Sequence, residues 1–188
     1  LESFLPQIDS LDLKGVFSGN VDFLQQKGVY CPVASILIQD FEINNVLQGD
    51  LALNIIGDNS YEKYNVDLSL NSEKVKSIAA SGLLDFSSTR PLIDLNVFLE
   101  DFHLNAFSPL GKDVLSSLRG TASGAIKVTG FLGNPDMQGI LRLKKAGMLF
   151  PYLNVDYNFD GESVVILDGQ SFFFDKINLL DKKFNTKG

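Results

Sequence analysis

From residue 51 to residue 70 the chain changes character at nearly every step. Leu51, Leu53 and Ile55 alternate with smaller or polar neighbours, Gly57-Asp58-Asn59-Ser60 supplies turn residues, and Val66, Leu68 and Leu70 alternate with Asp67 and Ser69. A period of two sends successive side chains to opposite faces, so the pattern predicts a β-hairpin with one apolar and one polar face. Ile93, Leu95, Val97 and Leu99 repeat it, as do Ile126 and Val128, which a turn at Gly133-Asn134-Pro135-Asp136 joins to Leu141 and Leu143. Val155, Tyr157 and Phe159 close the series.

Weaker alternation fills the intervals. Residues 11–24 read as one long strand with glycine at a bulge, and Gly28-Val29-Tyr30 restarts the chain. Ile36 and Ile38 are out of phase with Phe41 and Ile43, as a bulge or turn near Asp40 would produce. Residues 78–86 with Gly82 in their middle, 164–167 and 172–180 give further strands. In all, about a dozen strands follow one another at roughly 8–12-residue spacing. Such short connections favour antiparallel neighbours, because parallel pairing needs long crossovers. The absence of a fixed repeat length disfavours a propeller or regular solenoid and leaves a meander curling over its own apolar face.

One short α-helix is expected near residues 109–119. Ser108 offers an N-cap, Pro109 suits the first helical position, Leu110, Val114, Leu115 and Leu118 fall at helical spacing, and Gly120 supplies a stop. The expected fold class is therefore all-β: a curled, mainly antiparallel sheet with a hydrophobic groove and this helix.

Composition narrows the function. At 188 residues, 45% of them hydrophobic and 21% charged, the chain can bury a sizeable core and does not have the make-up of a disordered segment. Its formal net charge is −7, with 6 Lys/Arg against 14 Asp/Glu in residues 1–100. That balance argues against nucleic acid and against docking on anionic lipid by charge. No apolar run approaches the roughly 18–20 residues of a membrane-spanning helix. Without an initial methionine or a signal-like segment, residues 1–188 read as a single fragment of a longer protein. Cys31 is the sole cysteine and reads as a packed side chain.

Catalytic patterns are nearly missing. His103 is the one histidine, without metal-ligand companions, and reads as a partly buried residue at a strand end. The pairs Glu100-Asp101 and Asp156 with Asp160 read as solvated carboxylates rather than a sugar cleft. Glycines between Gly120 and Gly130 follow a helix instead of preceding one, the wrong order for a phosphate cradle. The chain is expected to be non-enzymatic, with no cofactor and no metal.

Several of these residues together resemble a known family. Pro109-Leu110, Leu118-Arg119-Gly120, Ser123-Gly124-Ala125-Ile126-Lys127-Val128-Thr129-Gly130, Asn134-Pro135, Gly139-Ile140-Leu141-Arg142-Leu143 and then Pro151 with Tyr157 look like the C-terminal region of the TamB family. These are AsmA-like subunits of the translocation and assembly module of Gram-negative bacteria. Residues 105–181 carry the likeness most clearly, and its Phe- and Asn-rich style is similar to Bacteroidetes members. The resemblance implies a taco-shaped sheet with a greasy concave face, in the periplasmic part of an inner-membrane-anchored protein reaching the outer membrane. It implies a TamA-like, Omp85-class outer-membrane barrel as partner, and roles in carrying phospholipid between membranes and in outer-membrane protein assembly. It carries over no catalytic residue.

Two kinds of occupant suit the apolar phase: phospholipid acyl chains, or nascent outer-membrane β-strands held by β-augmentation. A purely structural β-repeat stalk with a dry core is the third reading. The expected groove lining is Leu51, Leu53, Ile55, Val66, Leu68, Leu70, Ile93, Leu95, Val97, Leu99, Ile126, Val128, Leu141, Leu143, Val155, Tyr157 and Phe159.

Overall fold

Alternation dominates the chain, and the architecture follows it. The computed structural model describes residues 12–26, 28–72, 75–111, 116–175 and 177–181. Twelve strands form one antiparallel sheet: β1 (Leu13–Gln26), β2 (Val29–Ile43), β3 (Val46–Gly57), β4 (Lys63–Ser72), β5 (Val75–Asp85), β6 (Leu92–His103), β7 (Ser116–Phe131), β8 (Asn134–Phe150), β9 (Val155–Phe159), β10 (Ser163–Gly169), β11 (Ser171–Asp175) and β12 (Leu179–Asp181). From β1 to β8 each strand pairs with the next in sequence. The far edge of β8 then takes β10, followed by β11, along 137–143 and takes β9, followed by β12, along 147–150. Among the described residues β1 and β11 are the two open edges of the ten-strand path.

The expected breaks in phase are present. Gly15 marks a register shift in β1, and β2 slips between Ile38 and Phe41, where Asp40 takes a φ of 49°. The hairpin joining β7 to β8 turns two residues earlier than expected, over Leu132 and Gly133, so Asn134 and Pro135 open β8. Proline is tolerated there, at the start of a strand. The expected final strand over 172–180 is instead two, β11 and β12.

The helix expected at 109–119 is not formed. Residues 109–111 end a 3-10 segment, Leu104–Gly111, residues 112–115 lie outside the described residues, and 116–119 already belong to β7. Ser108 caps no helix; its hydroxyl donates to the Leu118 carbonyl at 3.2 Å. A helix this short is marginal alone, whereas residues from Ser116 onward gain a ladder to β8 and, from Thr121, one to β6.

The Leu104–Gly111 segment works as a strap over one end of the sheet. Ala106 and Phe107 pack into a cluster with Phe41, Ile43, Leu70 and Phe102, while Leu104 packs into a second with Ala122, Leu143, Ala146, Phe159 and Val165. In a flat sheet β2 and β6 would stand about 19 Å apart, four gaps of about 4.8 Å. The three 3-10 steps from His103 to Ala106 cover only about 6 Å. The shared cluster therefore requires the sheet to bend at this end, bringing the tip of β2 towards that of β6.

Candidate functional site: the charge-free face of the sheet

Cross-strand register decides which side chains share a face. Ile38 pairs with Leu51, Leu51 with Leu70, Leu70 with Ile78 and Ile78 with Leu99; Leu99 pairs with Gly124, Gly124 with Leu141 and Leu141 with Val165. Because alternate residues face alike, this transverse row fixes the others. Leu51, Leu53, Ile55, Val66, Leu68, Leu70, Ile93, Leu95, Val97, Leu99, Ile126, Val128, Leu141 and Leu143 all fall on one face. Phe159 joins the cluster of Leu143 and Val165. Val155 and Tyr157 share its phase on β9, beyond the transverse rows, and Tyr157 stands edge-on to Phe150 at 6.0 Å.

The same register adds residues outside the expected lining. Phe17, Val21 and Phe23 on β1, Ile36 and Ile38 on β2, Ile78, Ala80 and Leu84 on β5, Met137 on β8, Val165 and Leu167 on β10, and Phe172 and Phe174 on β11 belong to this face. Short runs around glycines or bulges hid their phase. Across ten strands the alternate positions of 17–23, 32–38, 51–57, 64–70, 78–84, 93–99, 124–130, 135–143, 163–169 and 172–174 hold no Asp, Glu, Lys or Arg.

Burial along the face is uneven. Leu70 is 1% exposed beneath the strap and Leu143 and Phe159 are buried, yet Leu53, Leu68, Leu95, Val97, Ile126 and Val128 are only half-buried. Towards the open edges, Val21 is 65% and Phe174 56% exposed. Among the described residues no second sheet and no α-helix lies over this face. Nor is any helix there long and apolar enough to cross a membrane.

The opposite face follows the other phase. Asn20, Ser35, Asn54, Asp67, Ser81, Asn96, Lys127, Gln138 and Asp168 are aligned in one wet row, with Lys127 bonded to Asp94. Beside it runs a row that sequence reading missed: Phe98, Ala125, Ile140, Ile166 and Phe173 are consecutive cross-strand partners, all but Ala125 large.

Polar clusters hold the frame together. Arg119 forms an ion pair with Asp156 at 2.6 Å and donates to the Asn158 side chain from Nε at 3.1 Å and from Nη2 at 2.5 Å, and to the Tyr157 carbonyl at 2.8 Å. Its fork thereby ties β9 to β7 across Gly147 of β8, the cross-strand partner of both Arg119 and Asn158. His103 is exposed at the end of β6 opposite Thr121, not partly buried as the sequence suggested. Cys31 is half-buried on β2. At the uncovered end, the carboxylates of Asp58, in the β3–β4 loop, and Asp85, the last residue of β5, sit below the ordinary aspartate range: Ser60 Oγ donates to Asp58 at 2.7 Å and Ser87 Oγ to Asp85 at 2.5 Å. Backbone N–H groups add to both, and Lys63 lies 3.5 Å from Asp85.

The arrangement leaves a charge-free apolar face partly uncovered among the described residues. Comparison with protein-family models, with curated proteins and with solved structures finds no match.

Proposed function

We propose that this chain is a non-enzymatic, periplasmic segment of a TamB-like bridge between the inner and outer membranes, whose apolar face forms a groove for phospholipid acyl chains. The observation that carries the reading is a charge-free face ten strands wide that stays half-buried at its centre. Moving a hydrocarbon chain through water costs about 0.8 kcal/mol per methylene, on the order of 10 kcal/mol for a whole chain. A continuous apolar trough offsets most of that cost while the headgroup stays hydrated. In this reading the full-length protein is anchored in the inner membrane and meets a TamA-like barrel of the Omp85 class.

Native mass spectrometry and lipid extraction of the purified chain test the proposal, with co-purifying phospholipid as the expected result. Val128→Arg and Leu141→Asp put a charge on the face and are expected to block lipid passage while the far-ultraviolet spectrum stays that of a sheet. Folded variants that carry lipid as well as the parent would overturn the conduit.

A second reading draws on the open edge. β1 offers fourteen residues with Lys14 and Asp22 as its charges and, among the described residues, pairs on one side only, which suits β-augmentation of nascent outer-membrane strands. Proline introduced at Asn20 or at Val21, whichever directs its N–H away from β2, should abolish strand capture and leave lipid passage intact. A stalk with a dry core predicts neither effect.

A further inference from the structure

The two lateral edges of the sheet differ in what they expose. β1 carries Lys14 and Asp22, and its outer phase is polar at Ser18, Asn20 and Asp22. β11 reads Ser171-Phe172-Phe173-Phe174-Asp175, and all five residues are exposed, the three phenylalanines at 54–56%. Its one charge stands at the end. Natural edge strands are blunted by charge, proline or a bulge, and the middle of β11 has none of these. Among the described residues only β10 pairs with it.

We propose that β11 pairs with β11 of a second copy of this chain, antiparallel and centred on Phe173, to give a closed two-fold dimer. The strand's own sequence sets the register. Keeping both apolar faces on one side requires cross-strand partners of the same phase. Among such registers, centring on Phe173 sets Phe173 opposite Phe173 and Phe172 opposite the second copy's Phe174. Ser171 then lies opposite Asp175, hydroxyl against carboxylate, and the two Asp175 side chains stand at opposite ends of the pair. Centring on Phe174 would set Phe173 against Asp175, and centring on Phe172 would set Phe174 against Gln170 of the turn.

Backbone geometry agrees with this register. Gly169, at φ 61°, and Gln170 are the two residues between the partners Asp168 and Ser171. A two-residue turn makes its flanking pair a hydrogen-bonded one, and the classes alternate from there. Ser171, Phe173 and Asp175 therefore direct their N–H and C=O groups at β10, while Phe172 and Phe174 direct theirs at the open edge. In the proposed dimer Phe172 and Phe174 form hydrogen-bonded pairs, and the two Phe173 residues meet in the non-hydrogen-bonded class, where side chains approach most closely.

Both faces also continue across the axis. On the wet side, the row of Phe98, Ala125, Ile140, Ile166 and Phe173 meets its own copy; on the apolar side, Val165–Phe174 runs into the second copy's Phe172–Leu167. Pairing β11 with another copy's β1 would instead set Phe173 against Ser18, Asn20 or Asp22, and such a head-to-tail contact does not close. Size sets the strength. At 54–56% exposure each phenylalanine leaves about 100 Å² to cover out of roughly 150–250 Å². Three give about 300 Å² per copy, well below the roughly 800 Å² of a standard interface, so the dimer is reversible and fills at high protein concentration.

Sedimentation velocity of the whole chain from micromolar to millimolar concentration is expected to show monomer passing to dimer and no further. Phe173→Lys opposes two ammonium groups at the axis and should weaken the dimer about tenfold or more, whereas Ser18→Lys on β1 should leave it unchanged. Cysteines read the register in a Cys31→Ala background. Oxidation should link Phe173→Cys to its copy, because a non-hydrogen-bonded pair, about 4.5 Å between Cα atoms, fits the roughly 4.4–6.8 Å span of a disulfide. Phe172→Cys, set opposite Phe174, should link several-fold less. A chain that stays monomeric at millimolar concentration overturns the proposal. So does a dimer that Ser18→Lys weakens and Phe173→Lys does not, and so does a ladder of oligomers growing with concentration, the mark of head-to-tail pairing. Equal linking of the two cysteine variants overturns the register.

Discussion

Asn44 and Ala106 stand 62 positions apart in sequence and on opposite sides of β3, β4 and β5, yet Asn44 Nδ2 donates to the Ala106 carbonyl at 2.8 Å. Asn44 is one of two residues in the tight β2–β3 turn, and both take left-handed backbone angles, φ 53° at Asn44 and 63° at Asn45. Asparagine tolerates that region well. Its side chain points both ways, since Oδ1 also accepts the Asp12 N–H at 2.9 Å. A single turn residue thus joins the first strand, the second hairpin and the strap.

Asn44→Asp should separate these roles. The carboxylate keeps an acceptor for Asp12 and tolerates the left-handed turn, but turns a donor to Ala106 into a repelled oxygen. With Ala106 fully buried, an orphaned carbonyl and the charge facing it should cost about 1–3 kcal/mol. Chemical denaturation measures this, and amide exchange at 104–108 should quicken more than exchange in β10. Asn44→Gly, which keeps the turn and removes both side-chain bonds, gives the reference value.

Arg119 should be irreplaceable by lysine. Its planar fork serves Asp156, Asn158 and the Tyr157 carbonyl together, a geometry that a single ammonium cannot reproduce. The site is partly exposed, which reduces its worth below that of a buried network. Arg119→Lys is expected to lose most of what Arg119→Ala loses, about 1–2 kcal/mol. Denaturation of both variants checks the ratio; a lysine variant as stable as the parent would mean that the Arg119 side chain contributes through its charge and not through its fork.

Gly124→Ala should destabilise the sheet through a backbone clash. Gly124 has a φ of +156°, and a Cβ there would run into the Ile140 carbonyl of β8. Gly82, at +155°, has the same relation to the Asp94 carbonyl. Each substitution forces a neighbouring strand to move and is expected to cost about 1–3 kcal/mol, read as a fall in the denaturation midpoint. Gly133→Ala, at a position with open space around it, is the control and should cost little.

Much of the sheet was legible in the chain, for a physical reason. Where two flanking strands alternate in step, as Leu51 and Leu53 do with Leu70 and Leu68, sequence phase and cross-strand register carry the same information. The bulge near Asp40 was legible too, because the apolar phase slips by one between Ile38 and Phe41. The strap was not legible. Leu110, Val114, Leu115 and Leu118 have helical spacing, but the decisive energy lies in long-range ladders of β7 that no local window contains. The outer row of Phe98, Ile140, Ile166 and Phe173 was hidden for a similar reason: each looks like a lone exception in its own strand, and only the register aligns them. Bulges near Asp101 and Lys145, both with positive φ, similarly shift phase at positions with no turn composition to announce them.

Acid should reach Asp58 and Asp85 late. Donation by Ser60 and Ser87 stabilises each carboxylate, so the folded pKa lies below the ordinary 3.8. Between those values the unfolded chain binds more protons, and stability rises with pH. The contribution is complete above about 3.8 and disappears as pH falls through the folded value. Carboxyl NMR titration should put both aspartates below 3.8, and Ser60→Ala should bring Asp58 back towards it without moving Asp85.

Leu70 and Leu95 provide the sharpest separation between an apolar face left open for a ligand and a dry core. Both are leucines on the same face, but Leu70 is 1% exposed under the strap and Leu95 is half-buried near the middle of β6. Truncating Leu70 to alanine leaves a cavity in a closed cluster and should cost about 2–5 kcal/mol. Leu95→Ala removes fewer contacts and less buried area, so about 1 kcal/mol is expected. If a phospholipid occupies the face, adding it should stabilise the parent chain by mass action, and Leu95→Ala should reduce that gain more than Leu70→Ala does. Equal losses from the two truncations, with no stabilisation by lipid, would identify the face as sealed against another surface and remove the physical basis of the conduit.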